Sequence, residues 1–408
     1  MMQTIKIKTS RDYHLWAPHA LIGTRLKSVE NVLVKIKKGR IISHSVLPKS
    51  LLPKPVLRHP GFYSLEEGVT LMPALIDAHV HLALDGKDYN RVRASWDDRN
   101  ALQARIRADL EKFISSGIGA VRDGGDCRGI NLQVKSAVES GQYPGPLIKA
   151  TGRAIRVKGG YGSFLGFDYD SGAVLPRLVD QIGATGADQL KVVVSGVVSF
   201  IEYGTVKGPL MPAGDLGSIV LRARDLGLKV MAHASSAAAV DLAVQAGVDS
   251  IEHGYFVTPG ALQAMAEKQI AWIPTVIPVA AQAGETLHGL RTPLEINVIT
   301  RTCEEQIRKL KYAHQLGVPL GVGTDSGAGG VSHACNLVEE MLLYKTGSLD
   351  NRAVLQAAVS TNADIIGLGQ EYGALEAGYR AALIAVRGNP LRDIAALKEV
   401  AVHLVPQG

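Results

Sequence analysis

Cysteine is scarce in this sequence. The three residues present, Cys127, Cys303 and Cys335, show neither paired spacing nor a Cys-x-x-Cys, which argues against a disulfide framework or a thiolate zinc site and suits a reducing compartment. The opening "MMQTIKIKTSRDYHLW" lacks the apolar core of a signal peptide. No run approaches the roughly 18 apolar residues of a membrane span. A cytoplasmic protein with no membrane partner is the expectation. No Gly-x-Ser-x-Gly elbow is present, and neither "GGYG" nor "GAGG" leads into the lysine of a P-loop, so a serine hydrolase and a phosphate cradle are both disfavoured. The formal net charge of +6 is spread along the chain. Its basic runs, "KIKTSR" and "VKIKKGR", alternate with apolar residues and read as solvated strand faces, so no nucleic-acid partner is expected.

What remains is ordinary for an α/β enzyme. The 408 residues are 46% apolar and 20% charged, with 44 glycines, enough for two or three domains or for one large barrel with an accessory piece. Residues 1–70 hold short strand-like runs, "TIKIK", "NVLVKIKKGRIISHSV" and "GFYSLEEGVTLMP", separated by turn residues and by the proline-rich connection "LPKSLLPKPVLRHPG". From residue 71 the pattern becomes an alternation of eight short apolar strands with eight amphipathic helices, the signature of parallel β/α units that close into a (β/α)8 TIM barrel over 71–370. Residues 371–408 return to strand and turn signals. They are expected to join residues 1–70 in a small β-sandwich domain built from both chain ends.

The stretch "LIDAHVHLALDG" places His79 and His81 two positions apart in a strand, hence on one face. The functional groups of a β/α barrel sit at the carboxyl ends of its strands. The polar residues there are His79 and His81 in the first strand, Lys191 in "QLKVVVSG", His233 in "VMAHAS", His253 in "IEHG" and Asp325 in "VGTDS". A lone histidine at a strand end is more often a packing residue, but in barrel register six such groups from five strands would converge on one mouth. Neutral imidazoles and a carboxylate suit zinc or a similar divalent ion with an open position for water. Lys191 fits such a set chiefly as a carbamate, formed with carbon dioxide, that bridges two metals about 3.5 to 4 Å apart around a hydroxide. Asp325 would then bind metal, accept the proton of that water and deliver it to a leaving nitrogen.

With "LIDAHVHL", "AVRDGGD", "LKVVVSG", "VMAHAS", "IEHG", "GVPLGVGTDS" and "GNPLRDI", the chain resembles the amidohydrolase superfamily over roughly residues 66 to 400, nearest its imidazolonepropionase-like and metal-dependent prolidase branch. The resemblance implies that His79, His81 and Asp325 bind the more buried of two divalent ions, that His233 and His253 bind the more exposed one, and that carboxylated Lys191 bridges them. The implied activity is hydrolysis of an amide bond, in Xaa-Pro dipeptides or N-acyl amino acids. A lactonase or cyclic-amide hydrolase is the alternative, ahead of a deaminase or a metal-free scaffold. The loop "GGYGSF" departs from the branch, which tends to carry a histidine and an acid there, and brings Tyr161 and Ser163 instead. Tyr203 is available to hydrogen-bond a polarised carbonyl. Arg156, with Lys158 and Lys207, is placed to meet a substrate carboxylate, and His333 to reach the pocket. The partners expected are a small-molecule substrate and further copies of the chain in a homo-oligomer.

Overall fold

The structure, a computed structural model, describes residues 2–8, 10–48, 61–208, 210–284 and 289–406. Most of the proline-rich connection lies outside the described residues. The N-terminal part contributes β1 (Gln3–Ile7), β2 (Tyr13–Ile22), β3 (Lys27–Lys37), β4 (Arg40–Val46), β5 (Phe62–Ser64) and β6 (Val69–Pro73). In β3 the even-numbered Val32, Val34 and Ile36 are buried while Lys35 and Lys37 are exposed, so this basic run is a solvated strand face. Lys38 and Gly39, at φ 50° and 72°, make the two-residue turn to β4 that matches the twist of a hairpin. The strand β2 had no counterpart in the sequence reading. Its Pro18 argues against a strand interior, yet the ladder continues on either side, from Ala17 opposite Val32 to His19 opposite Glu30.

The middle of the chain supplies β7 (Leu75–Val80), β8 (Ile118–Asp123), β9 (Leu147–Ala150), β10 (Ala154–Val157), β11 (Gly166–Tyr169), β12 (Gln189–Val193), β13 (Lys229–Ala234), β14 (Ser250–His253) and β15 (Ala271–Ile273). These are parallel, in a sheet β7-β8-β9 and a sheet β11-β10-β12-β13-β14-β15, and helices such as Arg99–Ser115, Ala213–Asp225 and Pro293–Leu316 alternate with them. The fold is thus a mixed α/β arrangement of the TIM-barrel type. The short pair β10 and β11, unforeseen in the sequence, brackets the "GGYGSF" loop. The Asp188 amide donates to Ala150 O at 2.8 Å, linking the end of β9 to the start of β12.

The expected eighth strand, "PLGVGTDS", forms no continuous ladder. It makes isolated parallel bridges, Leu320 to Trp272 and Ser326 to Val80, and lies between β15 and β7 with backbone bonds to both. Close approach is the reason. A Cβ on Gly323 would stand 2.8 Å from His79 Cβ, and one on Gly321 would stand 2.7 Å from Asn362 Oδ1. Asn362 stands in for the missing ladder: its amide donates to Ile76 O and Val322 O, both at 2.7 Å, while Oδ1 accepts from Val322 N at 3.0 Å.

The chain returns through β16 (Leu383–Arg387) and β17 (Val400–Pro406) into the N-terminal sheet, whose order is β1-β17-β16-β6-β2-β3-β4 with β5 beside β2. Both chain ends therefore build one sheet, over an apolar core of its own that includes Ile7, Leu15, Val34, Leu71, Leu383 and Leu404. The run expected as the first barrel strand divides between the two sheets. β6 pairs with β16, whereas β7 pairs with β8. Only Ala74 separates β6 from β7, and its amide donates to Ala382 O while the next amide, of Leu75, donates to Gly117 O, each at 3.0 Å. No helix among the described residues is long and apolar enough to cross a membrane.

Candidate metal centre

Alternation along the parallel strands turns Asp77, His79 and His81 inward from the first strand, Gln189 and Lys191 from β12, and Ser250 and Glu252 from β14. His79 and Lys191 are almost wholly enclosed. The Lys191 Nζ lies 3.4 Å from His79 Nε2. Asp325 Oδ1 stands 3.5 Å from His79 Nε2 and 3.4 Å from His81 Nε2. The His233 and His253 rings are 4.4 Å apart, and His253 is 5.2 Å from His79. One donor atom each of His79, His253 and Asp325 lie mutually within 4.8 Å. The structure thus gathers all six residues whose side chains were expected to converge.

Each histidine has its other ring nitrogen occupied. Nδ1–H of His79 donates to Glu252 Oε2 at 2.6 Å, Nδ1–H of His81 to Gly125 O at 3.0 Å, and Nε2–H of His233 to Gly196 O at 3.1 Å. His253 Nδ1 pairs with Thr275 Oγ1 at 2.6 Å. A carbonyl or carboxylate can only accept, so the first three contacts fix the tautomers and leave one lone pair of each ring for an ion. Metal-ligating histidines are characteristically held this way. The backbone is strained at the same place, with His253, Thr275 and Asp325 at φ 68°, 45° and 53°. Trp272 Nε1 and Gln306 Nε2 both donate to His253 O, at 2.9 and 2.7 Å, and hold that turn.

Electrostatics point the same way. Burial first, then the Lys191 charge, pushes His79 well below the usual imidazole range and takes His81 and His233 to about 3. Burial, followed by the neighbouring His233 and His79, does the same to His253. Burial brings Lys191 down to about 8 against the upward pull of Glu252 and Asp325. It raises Asp325 to about 7, with Lys191 opposing. Four neutral imidazoles, a carboxylate and an easily deprotonated amine make a donor set that fits divalent metal ions.

Behind these six residues lies a network that sequence reasoning missed. The fully buried Arg122 donates through Nε to Ala78 O at 2.6 Å, through one terminal nitrogen to Gln189 and Ser250, and through the other to both Glu252 oxygens at 2.9 and 3.0 Å. Glu252 in turn holds His79. A charged residue inside each of the apolar runs "AVRD" and "SIEH" was the available signal. Gly124 sits against the centre as well, since a Cβ there would stand 2.8 Å from His81 Cε1.

Above the centre is a cavity of about 670 Å³ lined by His81, Lys191, His233, His253 and Asp325 together with largely apolar walls. Tyr161 lines it, with its ring 5.3 Å from that of His233. So does Tyr255, two residues beyond His253 and not singled out in the sequence. Three expected residues stand elsewhere among the described contacts. Tyr203 donates to Glu305 and packs against Phe256 beneath Arg301, so its hydroxyl is turned away from the cavity. Arg156 clamps its own loop, donating to Gly160 O at 2.6 Å and Tyr161 O at 3.2 Å beside Asp168. His333 spends both ring nitrogens on Ser326 Oγ and Leu84 O, each at 2.9 Å. Lys158 pairs with Asp170 on the surface, and Lys207 meets the site's surroundings through its backbone carbonyl, which accepts from Gly196 N.

Residues 70–405 match the family model described as "Amidohydrolase family". The chain is 25% identical to ochratoxinase of Aspergillus niger over 377 residues, covering 85% of this chain and 76% of that protein. Its fold is similar to a solved Xaa-Pro dipeptidase with bound methionine, at TM-score 0.81 and 23% identity over 96% of this chain and 97% of the other. It is also similar to the solved A. niger ochratoxinase, at TM-score 0.78 and 22% identity over 95% and 92%.

Proposed function

The chain belongs to the amidohydrolase family, and on that premise we propose that it is a binuclear metal-dependent hydrolase cleaving an amide C–N bond, in an Xaa-Pro dipeptide or an N-acyl amino acid. The observation that carries this reading is Lys191, buried within 3.4 Å of a histidine nitrogen among four neutral imidazoles and Asp325. Left as an ammonium beside cations it would be costly; as a carbamate it completes the donor set.

His79, His81 and Asp325 would hold one ion, His233 and His253 the other, with carboxylated Lys191 shared between them and zinc the expected metal. Such ions, when bound, polarise a carbonyl and lower the pKa of water towards about 7. Lys191, brought down to about 8, supplies the neutral amine that attacks carbon dioxide, and the proton lost from nitrogen leaves the carbamate anionic. Asp325, beside His79 and His81 at the floor of the cavity, is placed to take a proton from the attacking water and return it to the departing nitrogen. Arg122 and Glu252 keep His79 in one tautomer. Apolar walls limit water around the scissile bond.

We further infer that β7, β8, β9, β12, β13, β14 and β15 close into an eight-stranded barrel with the segment through Ser326 as the eighth strand, the short pair β10 and β11 being an addition to it, and that the end-derived sheet folds as a β-sandwich. The domains so proposed are 1–70 with 371–408, the first running on through β6, and 71–370. The working form is a cytoplasmic homo-oligomer acting on a small molecule. The test is metal analysis of protein purified with zinc and bicarbonate: about two equivalents per chain are expected, falling on Lys191→Ala and partly restored, with activity, by acetate or propionate. A folded preparation that never exceeds trace metal overturns the reading.

A further inference from the structure

One wall of the cavity is a series of rings. Tyr89 meets Phe164 edge-on with centroids 5.1 Å apart, Phe164 meets Tyr161 at 6.0 Å, and Tyr161 meets His233 at 5.3 Å. Tyr89 is 40% exposed, so the series runs from the rim down to a residue of the metal centre. Rings at these separations offer edges and faces to one more ring laid beside them. The rest of the lining mixes aliphatic chains such as Val197, Val198 and Val279 with the rings of Phe200 and Tyr255.

Charge on these walls is sparse and of one sign. Apart from the residues of the metal centre, Lys87 is the one charged side chain lining the cavity among the described residues, and it forms no ion pair with any of them. Among the described lining residues the one acid is Asp325, which is committed to the centre. A substrate carboxylate therefore finds a cation at the rim. Among the described residues a substrate ammonium finds no such partner, and desolvating it unpaired is unfavourable.

We infer that the substrate is an N-acyl amino acid with a bulky, preferably aromatic, uncharged acyl group, rather than a dipeptide with a free α-amino group. Its apolar part lies along the Tyr89–Phe164–Tyr161 wall and its carboxylate is met by Lys87. The inference rests on the amide-hydrolysis reading and narrows it. Cleavage is ordinary hydrolysis: water adds its oxygen to the acyl carbon, the C–N bond breaks, and the amino acid leaves with the proton delivered to its nitrogen.

Three amides decide it: 3-phenylpropanoyl-L-leucine, L-phenylalanyl-L-leucine, which differs by one ammonium, and 3-phenylpropanoyl-isopentylamine, which lacks only the carboxylate. The first should exceed the second in kcat/KM by about 30-fold or more, the scale of an unpaired charge. Lys87→Met should shrink the preference for the first over the third by about tenfold, mainly through KM. Calorimetry on chelator-stripped protein, with the ketomethylene isostere of the first compound, reads binding apart from turnover. Preference for the dipeptide, or a carboxylate preference untouched by Lys87→Met, overturns the inference. If no amide is cleaved, isostere binding weakened by Lys87→Met supports this substrate class while amide hydrolysis fails, and absence of isostere binding overturns the substrate class too.

Discussion

Arg122→Met removes the cation from the buried network while keeping much of its volume. Glu252, itself fully buried, would keep the Ser250 hydroxyl at 2.6 Å and the His79 N–H at 2.6 Å but lose both arginine bonds. Removing one partner of a buried ion pair costs about 3–5 kcal/mol, because the other charge is left uncompensated. Ala78 O also loses its 2.6 Å donor, adding roughly 1 kcal/mol. About 4–6 kcal/mol of lost stability is therefore expected in urea-induced unfolding of the metal-free protein. Without the arginine fork Glu252 is held less firmly, and so is the His79 ring that it orients. Zinc affinity measured by chelator competition should fall by about 10- to 100-fold, the usual effect of disturbing a ligand's supporting partner. Adding Glu252→Gln removes the stranded charge, so the double variant should regain at least about 2 kcal/mol over the single one. A single variant that loses less than about 1 kcal/mol, or a double variant no more stable than it, would refute the view that Arg122 neutralises Glu252.

Asp325→Asn should keep the fold and much of the metal while turnover falls by roughly 10² or more, as for loss of general acid–base help; near-normal turnover by single-turnover assay removes Asp325 from the proton path. Gly124→Ala places a methyl group 2.8 Å from His81 Cε1, so metal loading measured by mass spectrometry should drop by at least about tenfold while the far-ultraviolet dichroism of the fold persists. Burial takes His403 down to about 4, with its Nδ1–H held by Ile114 O at 2.7 Å, so the unfolded chain binds the proton more readily than the folded one. Its stabilising effect is complete above about pH 6.5 and is lost as pH falls through about 4, a change of roughly 3 kcal/mol that His403→Gln should flatten in pH-dependent unfolding.

How much was legible in advance follows from how locally each feature is encoded. His79 and His81 were visible because a period of two needs only the strand itself, and the helices from Arg99 to Thr346 were visible because their apolar spacing is local. β2 was hidden by Pro18, a breaker whose missing donor matters only once the neighbouring strands are known. The pair β10 and β11 lacks helical or alternating signal over its four-residue strands. Arg122 and Glu252 stand 130 positions apart, and nothing local says that one charge inside "AVRD" neutralises another inside "SIEH". Tyr203 and Arg156 lie in or beside loops, where side-chain direction depends on neighbours such as Glu305 and Asp168 that only folding supplies.

The junction at Ala74 and Leu75 bears on how this enzyme moves. Two consecutive amides donate to different sheets, so the peptide between them cannot rotate without breaking a bond on one side or the other. Domain-closing enzymes absorb their φ/ψ changes in short unpaired hinges, and this crossing has none. Opening at this crossing is thereby opposed, and the end-derived sheet buttresses the strand that carries His79. Strain applied to that sheet, by truncation before β16 for example, would be transmitted along the backbone to the histidine five residues beyond Ala74 instead of being dissipated in a linker.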